Sequence, residues 1–232
     1  GGQFNCPIVF RGPTASAGQL GATHSQAFEN WYANVPGLKV IVPSNPYDAK
    51  GLLKSAIRDN DPVIFMESEQ MYGDKMEMPD EEYTIEIGKA EIKREGTDVT
   101  LVSFGKIIKQ AYIAADELAK EGISVEVIDA QSLLPFDISA DVAKSLNKTN
   151  RLVIVDEDVP GGASAFLLQE IIEKQGGYFT LDSAPLTITA KAHRPAYATD
   201  GDYFSKPSVD DIAEQIYDMM REAKPNEFPA LY

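Results

Sequence analysis

The chain has 232 residues, 44% of them hydrophobic, and a formal net charge of −15 at pH 7. This length and composition are typical of a globular protein with one large or two small domains. The negative charge argues against nucleic acid or an anionic membrane surface as a partner. No apolar run reaches the roughly 18 residues that span a bilayer, and the single cysteine, Cys6, excludes an internal disulfide.

Strand and helix patterns alternate in the first third of the sequence. Apolar runs predict strands over residues 6–11, 38–44 and 62–69, and apolar spacing predicts a helix over 25–34. A further helix is predicted to begin at Pro46, with Asn45 as its N-cap, and to end before Asp59. Strand–helix alternation of this kind builds a parallel sheet.

An acidic segment without helical spacing interrupts this alternation, and we predict a linker over residues 74–95. The alternation then resumes. The predicted strands are 98–105, 124–130, 151–157 and 186–192, and the predicted helices are 107–121, 138–146, one after Gly161-Gly162, and 209–220. The strands are almost continuously apolar, as when helices cover both faces of a sheet. The sequence therefore predicts two α/β units, 1–73 and 96–232.

The segment GPTASAGQLGATHSQ, which begins at Gly12, is the strongest candidate for a functional loop. Its small residues allow a ligand to approach the backbone closely, and it carries His24, whose side chain exchanges a proton readily near neutral pH. The helix predicted to follow places Phe28, Trp31 and Tyr32 on one face. From the residues alone, a capping or packing role for His24 is the more common alternative to catalysis.

The other local patterns are weaker indications of a functional site. Gly161-Gly162 precedes a helix, but the acidic sequence VDEDVP in front of it would repel a phosphate, which favours a structural turn. The sequences GxxxxGK[ST], HExxH and GxSxG are absent. At the end of the helix in AIRDNDP, Asp59 and Asp61 lie beside unpaired carbonyl oxygens, an arrangement that suits a hard cation. A solvated helix end is the more common alternative.

The motifs combine into a recognisable series. PIVFRGP, ASAG, HSQ and PGLKVIVPSNPYDAKGLLKSAIRDNDPVIFMESEQMYG resemble the E1 β subunits of the thiamine-diphosphate-dependent 2-oxo acid dehydrogenase family, those of pyruvate dehydrogenases most closely. SFG, VIDAQSLLPFD and RLVIVDED resemble the C-terminal transketolase-type domain of the same subunits. The resemblance implies an α/β fold in which a truncated thiamine-diphosphate-binding (pyrimidine-type) parallel-sheet unit precedes a transketolase C-terminal-type domain.

The resemblance also implies a function. It implies oxidative decarboxylation of pyruvate with thiamine diphosphate and Mg²⁺, both shared with an E1 α subunit in an α2β2 heterotetramer, and acetyl transfer to the lipoyl group of E2. In such subunits the loop histidine, here His24, lies near the reacting centre. A potassium-type site built largely from main-chain oxygens is implied at Ile8, Ala56, Ile57, Asp59 and Asp61. The implied location is the bacterial cytoplasm or the mitochondrial matrix.

Several features depart from the family pattern. No residue matches the glutamate that activates the cofactor's aminopyrimidine, nor the region that supplies most β-subunit contacts to the cofactor, so we expect the chain alone to be inactive. His193 and Arg194, in KAHRPAYA, fall outside the resemblance and are interpreted as surface residues. A branched-chain 2-oxo acid dehydrogenase or acetoin dehydrogenase subunit remains an alternative. A non-catalytic module that docks E1 α and E2 is an alternative of another class.

Overall fold

The computed structural model describes residues 3–15 and 18–230, so Ser16 and Ala17 of the candidate loop lie outside the described residues. The described chain contains two mixed sheets. The first has the strand order β1-β3-β2-β7. Its strands are β1 (Val9–Pro13), β2 (Lys39–Ile41), β3 (Val63–Glu67) and β7 (Ser132–Leu134). The first three are parallel, whereas β7 pairs antiparallel with β2.

The second sheet has the order β4-β6-β5-β8-β9. It consists of β4 (Glu91–Arg94), β5 (Val99–Ser103), β6 (Val125–Asp129), β8 (Leu152–Val155) and β9 (Leu186–Ile188). All pairs are parallel except β4 with β6. The predicted α/β fold class is confirmed, with the correction that antiparallel strands make both sheets mixed.

Seven α-helices lie in the described part of the chain. They are α1 (Glu29–Ala33), α2 (Pro46–Ile57), α3 (Ile108–Lys120), α4 (Asp141–Thr149), α5 (Ala163–Gln169), α6 (Ala198–Ser205) and α7 (Val209–Ala223). A π-helical turn over Glu170–Lys174 continues α5. None of the described helices has the length and apolarity that a membrane crossing requires.

Local signals set the start of two helices. The side chain of Asn45 accepts a hydrogen bond from the Asp48 N–H (2.9 Å), and Pro46 follows at the first helical position, so the predicted cap of α2 is confirmed. The predicted helix 138–146 instead begins at Asp141, because the carboxylate of Asp137 accepts hydrogen bonds from the N–H groups of Asp141 and Val142. That carboxylate satisfies two of the free donors of the first turn.

Two other predicted elements are shorter than expected. The strand predicted from residue 6 starts at Val9. The helix predicted over residues 25–34 is only α1, because the Ser25 hydroxyl is used to accept a hydrogen bond from the Leu20 N–H (3.0 Å). Strand β4 falls inside the range predicted as a linker; its sequence, EIKR, is partly exposed and carries little of the apolar signal of a buried strand.

The two predicted units share a hydrophobic core. One buried cluster contains Val40 and Met66 from the first sheet, Val42 just after β2, and Val102 and Ile128 from the second sheet. Strand β7 also connects the two units, because it follows β6 of the second sheet in the chain but pairs with β2 of the first sheet. A second cluster packs α3 and α7 against the other face of β5, β6 and β8. The first sheet is therefore anchored to the second by both packing and strand pairing.

Candidate functional site

His24 ends a short 3₁₀ turn, Gly21–Thr23, at the surface of the protein. Its backbone N–H donates to the carbonyl oxygen of Gly21 (3.3 Å). The residue is exposed, and within the described part of the chain no hydrogen bond to its ring is formed. Gly21 has φ = +74°, a conformation that glycine adopts without strain.

A residue of the first sheet holds one end of the His24 loop, which we define as the described residues 14–15 and 18–26. The Thr14 N–H donates to the carbonyl of Glu67 in β3 (2.8 Å). The Ala15 N–H donates to the carbonyl of Gln26 (3.0 Å), which closes the loop on itself. These bonds bring the two ends of the loop together beside the carboxyl ends of β1 and β3, where functional loops of parallel sheets commonly lie.

The middle of the loop is bound to the second unit. The carbonyl of Gln19 accepts a hydrogen bond from the Ala198 N–H at the start of α6 (3.0 Å), and the Gln19 side-chain oxygen accepts one from the Thr199 hydroxyl (3.2 Å). Leu20 forms an isolated antiparallel bridge with Tyr197. Helix α6 was missed in the sequence, where ATDGDYFS shows no apolar periodicity.

Arg194 also supports this loop. Its guanidinium donates a hydrogen bond to the carbonyl of Ala22 (3.0 Å), two residues before His24. The neighbouring His193 ring stacks on Phe204 (5.7 Å between ring centres, 22° between planes). Both residues are exposed, as expected from the sequence, but the contact of Arg194 with the loop was not predicted.

A cleft of about 390 Å³ opens beside the loop. Phe28 and Trp31 form one wall, and Trp31 is 69% exposed. The opposite wall contains Asp158, Arg194 and Lys206 among its charged residues. An aromatic wall together with groups of both signs can accept an amphipathic ligand or segment. His24 is not among the residues that line this cleft.

Buried carboxyl groups lie beneath the loop. The Glu29 side chain is fully buried, and burial, with the nearby charges of Asp156 and Glu157, raises its pKa to about 8, against the opposing effects of the Glu29 backbone N–H and the Thr14 hydroxyl. Burial likewise raises the pKa of Asp156 to about 6, although the N–H groups of Asp158 and Ser164 donate to its carboxylate. The largest cause of both shifts is burial by tertiary packing, for which the sequence carries no local signal.

The acidic character of this region bears on diphosphate binding. Gly161-Gly162 leads into α5, but Asp156, Glu157 and Asp158 lie just upstream, separated from it by Val159 and Pro160. Asp158 is close enough to Gly162 that a Cβ on this glycine would meet its carboxylate. These residues do not fit a diphosphate, in agreement with the predicted structural turn.

The predicted cation site lies at the end of α2. The ammonium group of Lys39 contacts the carboxylates of Asp59 (2.5 Å) and Asp61 (3.2 Å). Burial alone would raise the pKa of Asp59, but hydrogen bonds from Lys39 and from the Asp61 N–H outweigh it and lower the pKa. The carbonyls of Ile8 and Ala56 accept hydrogen bonds from Val63 and Asp59 N–H groups.

The single ammonium group of Lys39 offsets only one of these two negative charges, and the main-chain oxygens at the end of α2 are further oxygen donors. Among the described residues, no group of three or more His, Cys, Asp or Glu side chains could hold a metal ion. Main-chain oxygens at a helix end suit a monovalent cation better than a transition metal. The donor chemistry thus fits the kind of ion that the resemblance implies.

Comparison with known families identifies the fold. Residues 1–75 match the transketolase pyrimidine-binding domain, and residues 88–212, more than half of the chain, match the transketolase C-terminal domain. The chain belongs to the transketolase family. A solved structure described as "Split gene transketolase, inactive beta4 tetramer" is similar to 93% of this chain and 67% of its own, with a TM-score of 0.75 at 20% identity. This likeness supports the fold alone.

Among sequences, this transketolase-family chain is similar to E1 β subunits. It is 46% identical to the mitochondrial pyruvate dehydrogenase E1 component subunit beta-2 of Oryza sativa subsp. japonica, over 91% of this chain and 57% of that protein. It is 45% identical to the acetoin:2,6-dichlorophenolindophenol oxidoreductase subunit beta of Bacillus subtilis, over 84% of this chain and 56% of that protein. The chain thus spans less than two thirds of these relatives.

Proposed function

We propose that this transketolase-family chain serves as a β-subunit part of a 2-oxo acid dehydrogenase E1, with pyruvate as its substrate. The observation that carries the proposal is the exposed imidazole of His24 on a loop bound to both units, at the position where the resemblance implies the loop histidine. The similarity to pyruvate dehydrogenase E1 β subunits supports the same reaction.

Thiamine diphosphate, when bound, supplies the carbanion chemistry that removes carbon dioxide from a 2-oxo acid. This chain contributes proton exchange at the reacting centre, because an imidazole gives or takes a proton near neutral pH. The acidic surroundings of Gly161-Gly162 support a diphosphate and Mg²⁺ held by the E1 α subunit rather than by this turn. The proposed role of His24 is proton transfer during lipoyl acylation.

The proposed partners are an E1 α subunit, in an α2β2 heterotetramer, and the lipoyl acetyltransferase E2. Because this chain has a formal charge of −15, a basic segment of E2 would bind it more favourably than an acidic segment would. The relatives' names are compatible with a mitochondrial or bacterial setting. We further propose a monovalent cation such as K⁺ at the end of α2, held by main-chain oxygens of Ile8, Ala56, Ile57, Asp59 and Asp61.

A chimera tests the proposal. This chain replaces the matching part of a pyruvate dehydrogenase E1 β subunit, which is coexpressed with that enzyme's α subunit. We expect an α2β2 assembly that reduces an artificial electron acceptor with pyruvate only when thiamine diphosphate is present. The unmodified β subunit is the control.

An assembled chimera without thiamine-dependent activity would contradict the enzymatic proposal. If it still bound E2 in a salt-sensitive manner, the docking alternative would be favoured instead. Activity with acetoin or a branched-chain 2-oxo acid in preference to pyruvate would contradict the substrate assignment.

A further inference from the structure

Glu29 is the first residue of α1 and lies beneath the His24 loop, with 2% of its surface exposed. One carboxyl oxygen accepts a hydrogen bond from the Thr14 hydroxyl (2.9 Å). The other, Oε2, has no hydrogen-bond partner among the described residues. Thr14 is the residue at which the His24 loop leaves β1, so this bond joins α1 to the start of the loop.

A small cavity of about 10 Å³ lies beside the Glu29 side chain. Glu29, Thr14 and Ser68 line it from the first unit, and Lys106 and Glu157 line it from the second. We call it the junction cavity. The Ser68 hydroxyl is also buried without a partner among the described residues. The cavity therefore contains polar groups of Glu29 and Ser68 whose hydrogen-bonding capacity is unfilled.

The charges around the junction cavity oppose an ionised Glu29. Lys106 is the cation among the residues that line the cavity, but its ammonium group lies 3.3 Å from a carboxylate oxygen of Glu157 and 3.7 Å from one of Asp202. Asp156 adds a further negative charge that acts on Glu29. A buried carboxylate with one oxygen unsolvated, among other carboxylates, is strongly disfavoured relative to the neutral acid.

We propose that Glu29, as a neutral carboxylic acid, is a positioning residue that fixes the His24 loop through Thr14, and that ionisation of Glu29 loosens the loop. The inference rests on the proposed function only in giving His24 a chemical role. Loss of the proton would place a negative charge in the junction cavity next to Glu157, and solvation of that charge would require the loop to open.

We expect the loop to loosen near pH 8, because the pKa of Glu29 is raised to about 8. Burial is the largest cause of this rise, and the charges of Asp156 and Glu157 add to it. Asp156, with a pKa of about 6, ionises below that range. Arg194 contacts the loop elsewhere, through the carbonyl of Ala22. Glu29 is therefore the group in this cluster expected to ionise between pH 7 and 9.

Amide hydrogen exchange of this chain from pH 6.5 to 9.5, corrected for the intrinsic rate, tests the proposal. In the wild type we expect protection of the Ala15 and Ser25 amides to fall at least fivefold across pH 8, while amides of α3 do not change. Glu29→Gln imitates the neutral acid and should abolish the transition. Glu222→Gln, at an exposed glutamate of α7, should retain it.

Thr14→Val removes the hydroxyl but keeps the shape of the side chain, and should give low loop protection at every pH. If Glu29→Gln fails to fold, the pH profile of the wild type and the exchange of Thr14→Val still test the proposal. A profile in which loop protection does not change with pH, or a transition retained in folded Glu29→Gln, would overturn the proposal. Failure of the enzymatic proposal would instead leave the exchange profile intact and abolish only thiamine-dependent turnover.

Discussion

The guanidinium of Arg194 donates a hydrogen bond to the carbonyl of Ala22, and so a residue of the second unit holds the loop of the first unit two positions before His24 (3.0 Å). The bond spans 172 positions of sequence. Together with the contacts of Gln19 to α6, it makes the position of His24 depend on both units.

Replacing Arg194 by methionine should loosen the His24 loop without unfolding the protein, since the side chain is exposed and the apolar stem is kept. We expect faster amide exchange at Leu20 and Ser25, and a several-fold lower acyl-transfer rate in the assembled enzyme. Arg221→Met is a matched control, because Arg221 lies on α7 and, within the described residues, forms its ion pair with Asp218. Unchanged exchange in Arg194→Met would show that the hydrogen bond does not hold the loop.

Gly201 in α6 leaves no space for a side chain. A Cβ there would lie 2.5 Å from the backbone carbon of Ala196, whereas at Gly73 nothing lies within 4 Å. Gly201→Ala should therefore displace α6 and lower the free energy of unfolding by about 1–3 kcal/mol. Gly73→Ala should be near neutral. Chemical denaturation measures both, and equal stability of the two variants would contradict the packing described for α6.

The Lys39 ion pair should stabilise the end of α2 at neutral pH. The pKa of Asp59 is lowered in the folded protein, so its contribution is present above the carboxyl's ordinary value of 3.8 and is lost as pH falls through the folded value. Lys39→Met should cost about 1–2 kcal/mol at pH 7 and less at pH 3. Urea unfolding at the two pH values tests this; an equal loss at both would contradict it.

The same site offers a test of the proposed cation. If main-chain oxygens bind K⁺, the melting temperature should be higher in potassium chloride than in choline chloride at equal ionic strength, in the wild type and in Lys39→Met alike. Lys144→Met, which alters an exposed pair on α4, is the control for lost charge. The same melting temperature in both salts would contradict the cation proposal.

Asp129 should make the protein less stable as pH rises. It is fully buried, and burial raises its pKa from 3.8 to about 7 against the opposing hydrogen bond from Ser44 and the charge of Lys93. The unfolded chain therefore loses this proton at lower pH than the folded protein does. The free energy of unfolding therefore falls between pH 4 and 7, by on the order of 4 kcal/mol in total.

Asp129→Asn should reduce that decline, as measured by urea unfolding between pH 4 and 8. Asp218→Asn, at an exposed carboxylate, should not. If Asp129→Asn and the wild type lose the same stability between pH 4 and 8, ionisation of Asp129 does not cause the decline.

The sequence predicted the features that depend on neighbouring residues. Asn45-Pro46 marks the start of α2 because a cap and its helix are a few residues apart. The transketolase-type fold was likewise predicted from local motifs, and both family matches confirm it. The location of His24 on a surface turn follows from the same kind of local composition.

The remaining features depend on residues far apart in the sequence. Strand β7 is three residues long and is defined by its pairing with β2, which no local pattern encodes. Glu29 resembles any glutamate of an amphipathic helix until the fold places it beside Asp156 and Glu157. Arg194 was interpreted as a surface residue because its partner, Ala22, is 172 positions away.

The central claim is that His24 transfers a proton in acyl transfer to lipoate, and the most direct measurement compares two half-reactions of the assembled chimera. His24→Ala should lower the rate of reductive acetylation of the E2 lipoyl domain at least a hundredfold. Pyruvate-dependent reduction of an artificial acceptor, which bypasses lipoate, should fall far less. Equal rates of lipoyl acetylation in His24→Ala and the wild type would contradict the account.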